Sequence, residues 1–272
     1  MDRVRINGLD LSYRRAGEGS PLVLVHGAAD DSRVWTPQLD DLSDEFTVIA
    51  WDEPGAGQSA DVPDEFQLTD YADSLAGLIC ELDLGPVHLA GLSWGGTVVL
   101  ELYRRHPELF RTLILADTYA GWKGSLPADD VLSRVVGVRA MLADPPQVFD
   151  PTLPGLFAAG PPARFMPLLR DVSADVRPHS MRVALEIMAA ADLSRVLPTV
   201  AVRTLLIWGQ LDARSPLTVA REFERQIPGA QLSVIPGCGH VSNLDAPDQF
   251  TSLVRKFCRD NDGAVSHGCD VV

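Results

Sequence analysis

The residues best suited to chemistry are a serine, an aspartate and a histidine, each set just after a short apolar run. Ser93 lies in Gly91-Leu92-Ser93-Trp94-Gly95, directly behind Val87-His88-Leu89-Ala90. That setting holds a hydroxyl on a sharp strand-to-helix turn. Gly91 and Gly95 are needed there because a side chain at either would collide with the neighbouring strand or helix. A serine is a poor nucleophile at neutral pH and requires a base and a group that orients the base. His240 suits the first role: it ends Gly237-Cys238-Gly239-His240, in the loop after the apolar run Leu232 to Ile235. Asp212 suits the second, closing Trp208-Gly209-Gln210-Leu211-Asp212 behind the run Thr204 to Trp208. Asp117, after Thr112 to Ala116, is the rival acid; its alternative reading is a turn cap. Of the other histidines, His88 falls inside a strand, His106 closes a helix before Pro107, and His179 and His267 lie away from the strand ends.

Acyl transfer also needs donors aimed at the oxyanion that develops in the tetrahedral intermediate. One is expected to be the backbone N–H of Trp94, where a helix starts and its dipole favours negative charge. The second is expected from Ala28 in Val25-His26-Gly27-Ala28-Ala29, where Gly27 lets the chain turn an amide toward Ser93. His26 is read as a support of this loop rather than a metal ligand. The Trp94 side chain is read as able to narrow the acyl pocket.

A large sheet is required to bring these loops together. Val4 to Ile6, Asn7-Gly8 and Leu9 to Tyr13 read as a hairpin with a tight turn. Six apolar runs read as buried parallel strands: Leu22 to Val25, Phe46 to Trp51, Val87 to Ala90, Thr112 to Ala116, Thr204 to Trp208 and Leu232 to Ile235. Helical periodicity covers Leu68 to Leu82, Trp94 to His106, Pro216 to Gln226 and Ala246 to Cys258. The expected class is α/β, a mostly parallel twisted sheet flanked by helices. Between about Ala120 and Arg195 the rhythm breaks and prolines crowd at Pro145, Pro146, Pro151, Pro154, Pro161, Pro162 and Pro167. This predicts a core of residues 1–119 and 196–262, an inserted, mainly helical cap of residues 120–195, and a flexible tail of residues 263–272. Met141, Phe149, Leu156, Phe157, Phe165, Met166 and Leu169 could roof a pocket; packing within the cap is the reading favoured for each.

Together these motifs resemble the α/β-hydrolase superfamily over nearly the whole chain. The likeness rests on the His26-Gly27 turn, the run Asp52-Glu53-Pro54-Gly55-Ala56-Gly57-Gln58-Ser59, the elbow at Ser93, Asp212 and His240, in that order. Pro54 stands where many relatives carry arginine, and Ala29 and Asp30 replace glycines common after His-Gly. The resemblance implies the α/β-hydrolase fold with a cap, and a Ser-His-Asp hydrolase that cleaves a small-molecule ester or lactone through an acyl-enzyme. A serine in place of aspartate at the elbow argues against the dehalogenase and epoxide-hydrolase branches. The segment Val241 to Phe250 is similar to bacterial enol-lactonases and small esterases. Carbon-carbon bond hydrolases, cofactor-free perhydrolases and small-molecule receptors share the same frame. Arg164, Arg170, Arg177 and Arg182 could meet a substrate carboxylate; solvated cap residues are the favoured reading.

Composition narrows the partners. The 272 residues carry 23 basic and 37 acidic side chains, a formal charge of −14, which repels nucleic acid and anionic membrane surfaces. Cys80, Cys238, Cys258 and Cys269 lack paired spacing, and the opening Met1-Asp2-Arg3-Val4-Arg5 is no apolar signal. Reduced thiols and a cytoplasmic location are therefore expected, and no apolar run reaches membrane-span length. Gly55-Ala56-Gly57-Gln58-Ser59-Ala60 fits a dinucleotide pattern, but an acidic loop follows where a helix should begin. No nucleotide cofactor is implied, and the cluster His26, Asp30 and Asp31 gives little support for a metal.

Overall fold

Short runs that are apolar throughout cannot leave a face in water, so they must be covered on both sides. The computed structural model describes residues 1–143 and 149–263. Pro145, Pro146, His267, Cys269 and the expected tail beyond Gly263 lie outside the described residues. The strands are β1 (Asp2–Ile6), β2 (Leu9–Ala16), β3 (Ser20–Val25), β4 (Phe46–Trp51), β5 (Val87–Leu92), β6 (Phe110–Ala116), β7 (Arg203–Gly209) and β8 (Gln231–Ile235). They form one sheet in the order β1-β2-β4-β3-β5-β6-β7-β8. β2 pairs antiparallel with β1 and β4, and the remaining pairs are parallel. All six apolar runs are parallel strands. The Asn7-Gly8 turn closes the hairpin with φ of 50° and 84°, the doubly positive pair that matches strand twist.

The helices are α1 (Thr36–Leu42), α2 (Leu68–Glu81), α3 (Trp94–Arg105), α4 (Ala128–Ala143), α5 (Met166–Ala174), α6 (Pro178–Ala190), α7 (Leu217–Gln226), α8 (Ser242–Asp245) and α9 (Pro247–Asn261). Alternate residues of β3 show the layering. Val23 and Val25 enter the core built with Tyr71 and Leu75 of α2, Val98 of α3 and Phe223 of α7. Leu22 and Leu24 enter the opposite core with Leu39 and Leu42 of α1 and Phe250 and Val254 of α9. α1 is an element that periodicity does not reveal. It is short, and the 3₁₀ turn Ser32–Trp35 leads into it, with the Asp31 side chain accepting from the Arg33 N–H.

After β3 the chain crosses to β4 on one side and returns to β5 on the other. Loops leaving β3 and β5 therefore diverge at the carboxyl edge and open a crevice there. Between β6 and β7 the chain builds α4, α5 and α6. The ends of this stretch are joined by the Trp122 N–H to the Met188 carbonyl at 2.8 Å and the Leu193 N–H to the Ala120 carbonyl at 2.8 Å. α6 buries Val183, Leu185 and Met188, and α5 buries Leu169 and Val172, whereas α4 buries no residue fully. Leu132 and Val136 of α4 stay exposed. Among the described residues no helix is long and apolar enough to cross a membrane.

Candidate active site

Ser93 occupies the turn between β5 and α3 at φ 53° and ψ −118°, a conformation that costs a non-glycine residue roughly 1–3 kcal/mol. Neighbours over-determine it. The Ser93 N–H donates to the Ala116 carbonyl at 2.9 Å, and the Ser93 carbonyl accepts from the Gly96 N–H at 3.1 Å and from the Thr118 hydroxyl. A Cβ at Gly91 would lie 2.6 Å from the Gly96 Cα, and one at Gly95 would lie 2.5 Å from the His26 carbonyl oxygen. Both glycines are thus fixed by close backbone approach.

His240 Nε2 lies 2.9 Å from Ser93 Oγ, and its Nδ1 lies 2.9 Å from Asp212 Oδ2. The second Asp212 oxygen accepts from the N–H groups of Arg214 and Ser215, both at 2.8 Å. A carboxylate has no proton to give, so Nδ1–H donates to Asp212 and Nε2 is left to accept from the serine hydroxyl. The loops after β7 and β8 hold this arrangement through the Gln210 N–H to Ile235 carbonyl bond at 2.9 Å and the Leu211 N–H to Cys238 carbonyl bond at 2.8 Å. Ser93, Asp212 and His240 are thus brought together; Asp117 is not in contact with the histidine. Asp117 instead accepts from the Gly209 N–H at 2.7 Å and the Ser242 N–H at 3.3 Å. Burial, and then the charge of Asp212, pushes its carboxyl well above the usual range.

Trp94 is the first residue of α3, so its N–H has no partner within the helix. Gly27 packs against the serine, and a Cβ there would lie 3.5 Å from the Ser93 Cβ. This sets Ala28 beside Ser93 on the wall of one cavity. His26 is fully buried, accepts from the Glu53 N–H at Nε2 (3.1 Å), and lies 2.8 Å from the Gly27 carbonyl through Nδ1. Desolvation lowers its pKa, so a neutral imidazole ties the β3 loop to the β4 loop. Asp52 of the second motif accepts from the Ser32 N–H at 2.9 Å and the Gln58 N–H at 2.8 Å, and the next helix begins only at Leu68.

The Trp94 side chain differs from the expectation that it narrows the pocket. Its indole is buried, stands edge-on to the Tyr71 ring at 5.4 Å, and donates from Nε1 to Glu53 at 2.7 Å. Trp94 is not among the residues that line the cavity. Burial raises the Glu53 carboxyl well above its usual range despite that bond, with the Asp30 charge adding to the shift.

The cavity has a volume of about 510 Å³. Met141, Phe149, Leu156, Phe157 and Leu169 line it, so these side chains roof the pocket rather than serving only as packing. Phe165 and Met166 are absent from the lining. Arg177 and Arg182 do not reach the cavity. They pair with Asp61 and Asp64 of the loop after β4, Arg164 lies over the Phe165 ring at 4.8 Å, and Arg170 is exposed. The guanidinium groups on the wall belong to Arg134 and Arg214, neither of which is marked by spacing.

Asp30 lies on the same wall, with its carboxyl pushed up to about 8 by burial first and the charge of Asp31 second. The folded chain therefore keeps a proton that the unfolded chain loses near pH 4. Stability falls as pH rises from there and levels off above the folded pKa. Asp30→Asn removes this dependence. Its melting temperature should gain on the wild type progressively between pH 5 and 8, by on the order of 5 °C at pH 9. Thermal unfolding at pH 5 and pH 9 checks this; a constant offset would show that Asp30 ionises normally.

Comparison with known proteins supplies a frame for this geometry. The model of the alpha/beta hydrolase family matches residues 22–253. A thermophilic esterase from Thermogutta terrifontis, in its malate-bound structure, superposes with a TM-score of 0.84 at 30% identity, covering 96% of this chain and 99% of its own. The enol-lactonase from Burkholderia xenovorans LB400 superposes with a TM-score of 0.77 at 26% identity, covering 95% and 100%. By sequence, the 2-(acetamidomethylene)succinate hydrolase of Mesorhizobium japonicum is 26% identical over 94% of both chains.

Proposed function

The chain belongs to the alpha/beta hydrolase family, and from that premise we propose that it cleaves a small-molecule carboxylic ester or lactone through an acyl-enzyme on Ser93. The hydrogen-bonded series Asp212, His240, Ser93 beneath an apolar cavity carries this reading. Similarity to an esterase and an enol-lactonase supports the choice of substrate class. Ser93 Oγ attacks the acyl carbon while its proton passes to His240 Nε2, and Asp212 holds the imidazolium that results. The carbonyl oxygen, now an oxyanion, takes hydrogen bonds from the N–H groups of Ala28 and Trp94.

Collapse of this intermediate breaks the bond to the leaving oxygen, which takes the proton from His240. In a lactone that alcohol stays tethered to the acyl group. Water then loses a proton to His240 and attacks the acyl carbon, and Ser93 departs with the proton. Residues 120–195 act as the cap that selects the acyl group, on a core of residues 1–119 and 196–262. A panel of p-nitrophenyl esters from acetate to octanoate tests the proposal. Many turnovers per chain are expected; release of one equivalent and no more would point to a receptor that retains an idle serine.

A further inference from the structure

Two arginines line the cavity, Arg134 and Arg214, and the Arg134 guanidinium bonds only uncharged partners. Arg134 projects from α4, donating to the Tyr119 hydroxyl at 3.0 Å and to the Arg214 backbone carbonyl at 2.6 Å. Its guanidinium carbon lies 5.6 Å from the Tyr119 ring centre and 5.5 Å from that of Trp122. Arg214 follows Asp212 by two residues and lines the same cavity. Desolvation is the first cause lowering its pKa; Tyr119 opposes it, the nearby Arg134 charge adds to it, and the Asp212 charge opposes it. Among the described residues neither arginine has a carboxylate ion pair, whereas Arg33, Arg177, Arg182 and Arg255 each do. In a chain with a formal charge of −14, two half-buried arginines without a carboxylate ion pair on one cavity wall are costly unless an anion joins them.

The acids nearby do not fill that role. Asp150 also lines the cavity, but its Oδ1 accepts from the Thr152 N–H at 2.8 Å and hydroxyl at 2.7 Å, and it is exposed. Asp30 keeps its proton at neutral pH. Asp212 is committed to His240 and to two backbone N–H groups.

We infer that Arg134, Arg214 and the Tyr119 hydroxyl form an anion subsite that receives a carboxylate of the substrate. This rests on the proposed ester or lactone hydrolysis at Ser93 and narrows its substrate class. The Tyr119 ring centre lies 6.3 Å from that of His240, so the subsite borders the histidine of the reacting groups. The fitting substrates are half-esters of small dicarboxylic acids and lactones that bear a carboxylate. Arg214 projects from the loop that carries Asp212, so the same loop serves the base and the anion.

Hydrolysis of monomethyl glutarate and dimethyl glutarate, followed by pH-stat, tests the subsite. Wild type should prefer the half-ester in kcat/KM. That preference, taken as the ratio of the two values, should drop roughly 10- to 100-fold in Arg134→Met and in Arg214→Met, as for loss of a charged hydrogen bond. Arg134→Lys should recover part of it. The ratio cancels any general loss caused by imperfect folding. Equal ratios in wild type and variants overturn the subsite. Calorimetric binding of glutarate to Ser93→Ala separates this inference from the reaction itself. Binding that disappears in Ser93→Ala/Arg134→Met supports the subsite even if no ester is turned over, and absence of binding to Ser93→Ala overturns it. Failure of wild type to hydrolyse any ester overturns the hydrolase reading alone.

Discussion

Ser93→Ala should lower kcat on p-nitrophenyl acetate by about 10⁴- to 10⁶-fold, the scale seen when a serine hydrolase loses its nucleophile. The loss is that large because no other group on the cavity wall combines a hydroxyl with a bonded base. Ser93 Oγ sits 2.9 Å from His240 Nε2, while of the other hydroxyl residues on the wall Tyr119 is held by Arg134 with its pKa raised by burial, and Ser173 has no hydrogen bond to a histidine among the described residues. Alanine also tolerates the backbone of the elbow about as well as serine does, since both carry a Cβ at φ 53°. The melting temperature should therefore change little, and an activity loss can be assigned to chemistry. Steady-state rates paired with a thermal melt decide the matter. More than a tenth of wild-type activity in a folded Ser93→Ala protein would remove Ser93 from the mechanism.

Asp212→Asn should cost about 10³- to 10⁴-fold in kcat at neutral pH, and the reason is tautomeric. Two backbone N–H groups already converge on Asp212 Oδ1, so an asparagine would place its single carbonyl there. Its NH₂ would then face His240 Nδ1, which must turn from donor to acceptor. The ring proton moves to Nε2, and the histidine can no longer take the serine proton. Asp117→Asn behaves differently. Asp117 contacts Gly209 and Ser242 rather than the imidazole, and its raised pKa means that an uncharged amide replaces a group already inclined to be neutral. Its kcat should stay within about threefold of wild type, on the scale of one modest hydrogen bond. Loss confined to Asp117→Asn would exchange the roles of the two acids.

These roles follow from strand ends, and strand ends are where sequence carries most information. β3 to β7 are each dominated by a run of buried, mostly apolar residues, and β8 carries Leu232, Val234 and Ile235 around Ser233, so apolar enrichment marks them. Ser93, Asp212 and His240 are then found by looking one loop further. α1 escapes because seven residues give too little periodicity to read. The Trp94 indole escapes because its direction depends on Glu53, which lies 41 residues away in sequence.

The arginines show the same limit more sharply. Arg177 and Arg182 share the inserted stretch with the cavity-lining residues, yet acids more than a hundred residues earlier claim them. Arg134 and Arg214 lie 80 residues apart and meet through one backbone carbonyl. Residue type announces a charge; only tertiary contact says whether that charge is already neutralised.

The cover and the floor of the cavity are not equally anchored. Ser93 follows β5, whose residues are buried throughout, and its N–H is tied to the Ala116 carbonyl at the end of β6. Arg134 stands on α4, which buries no residue fully. Val131, Val135 and Val138 of this helix pack against the core while only partly buried, so α4 is held by less buried surface than the strands beneath the cavity. The same helix carries Arg134, so an anion bound at the inferred subsite would favour conformations in which α4 stays seated, in proportion to its contact with that guanidinium.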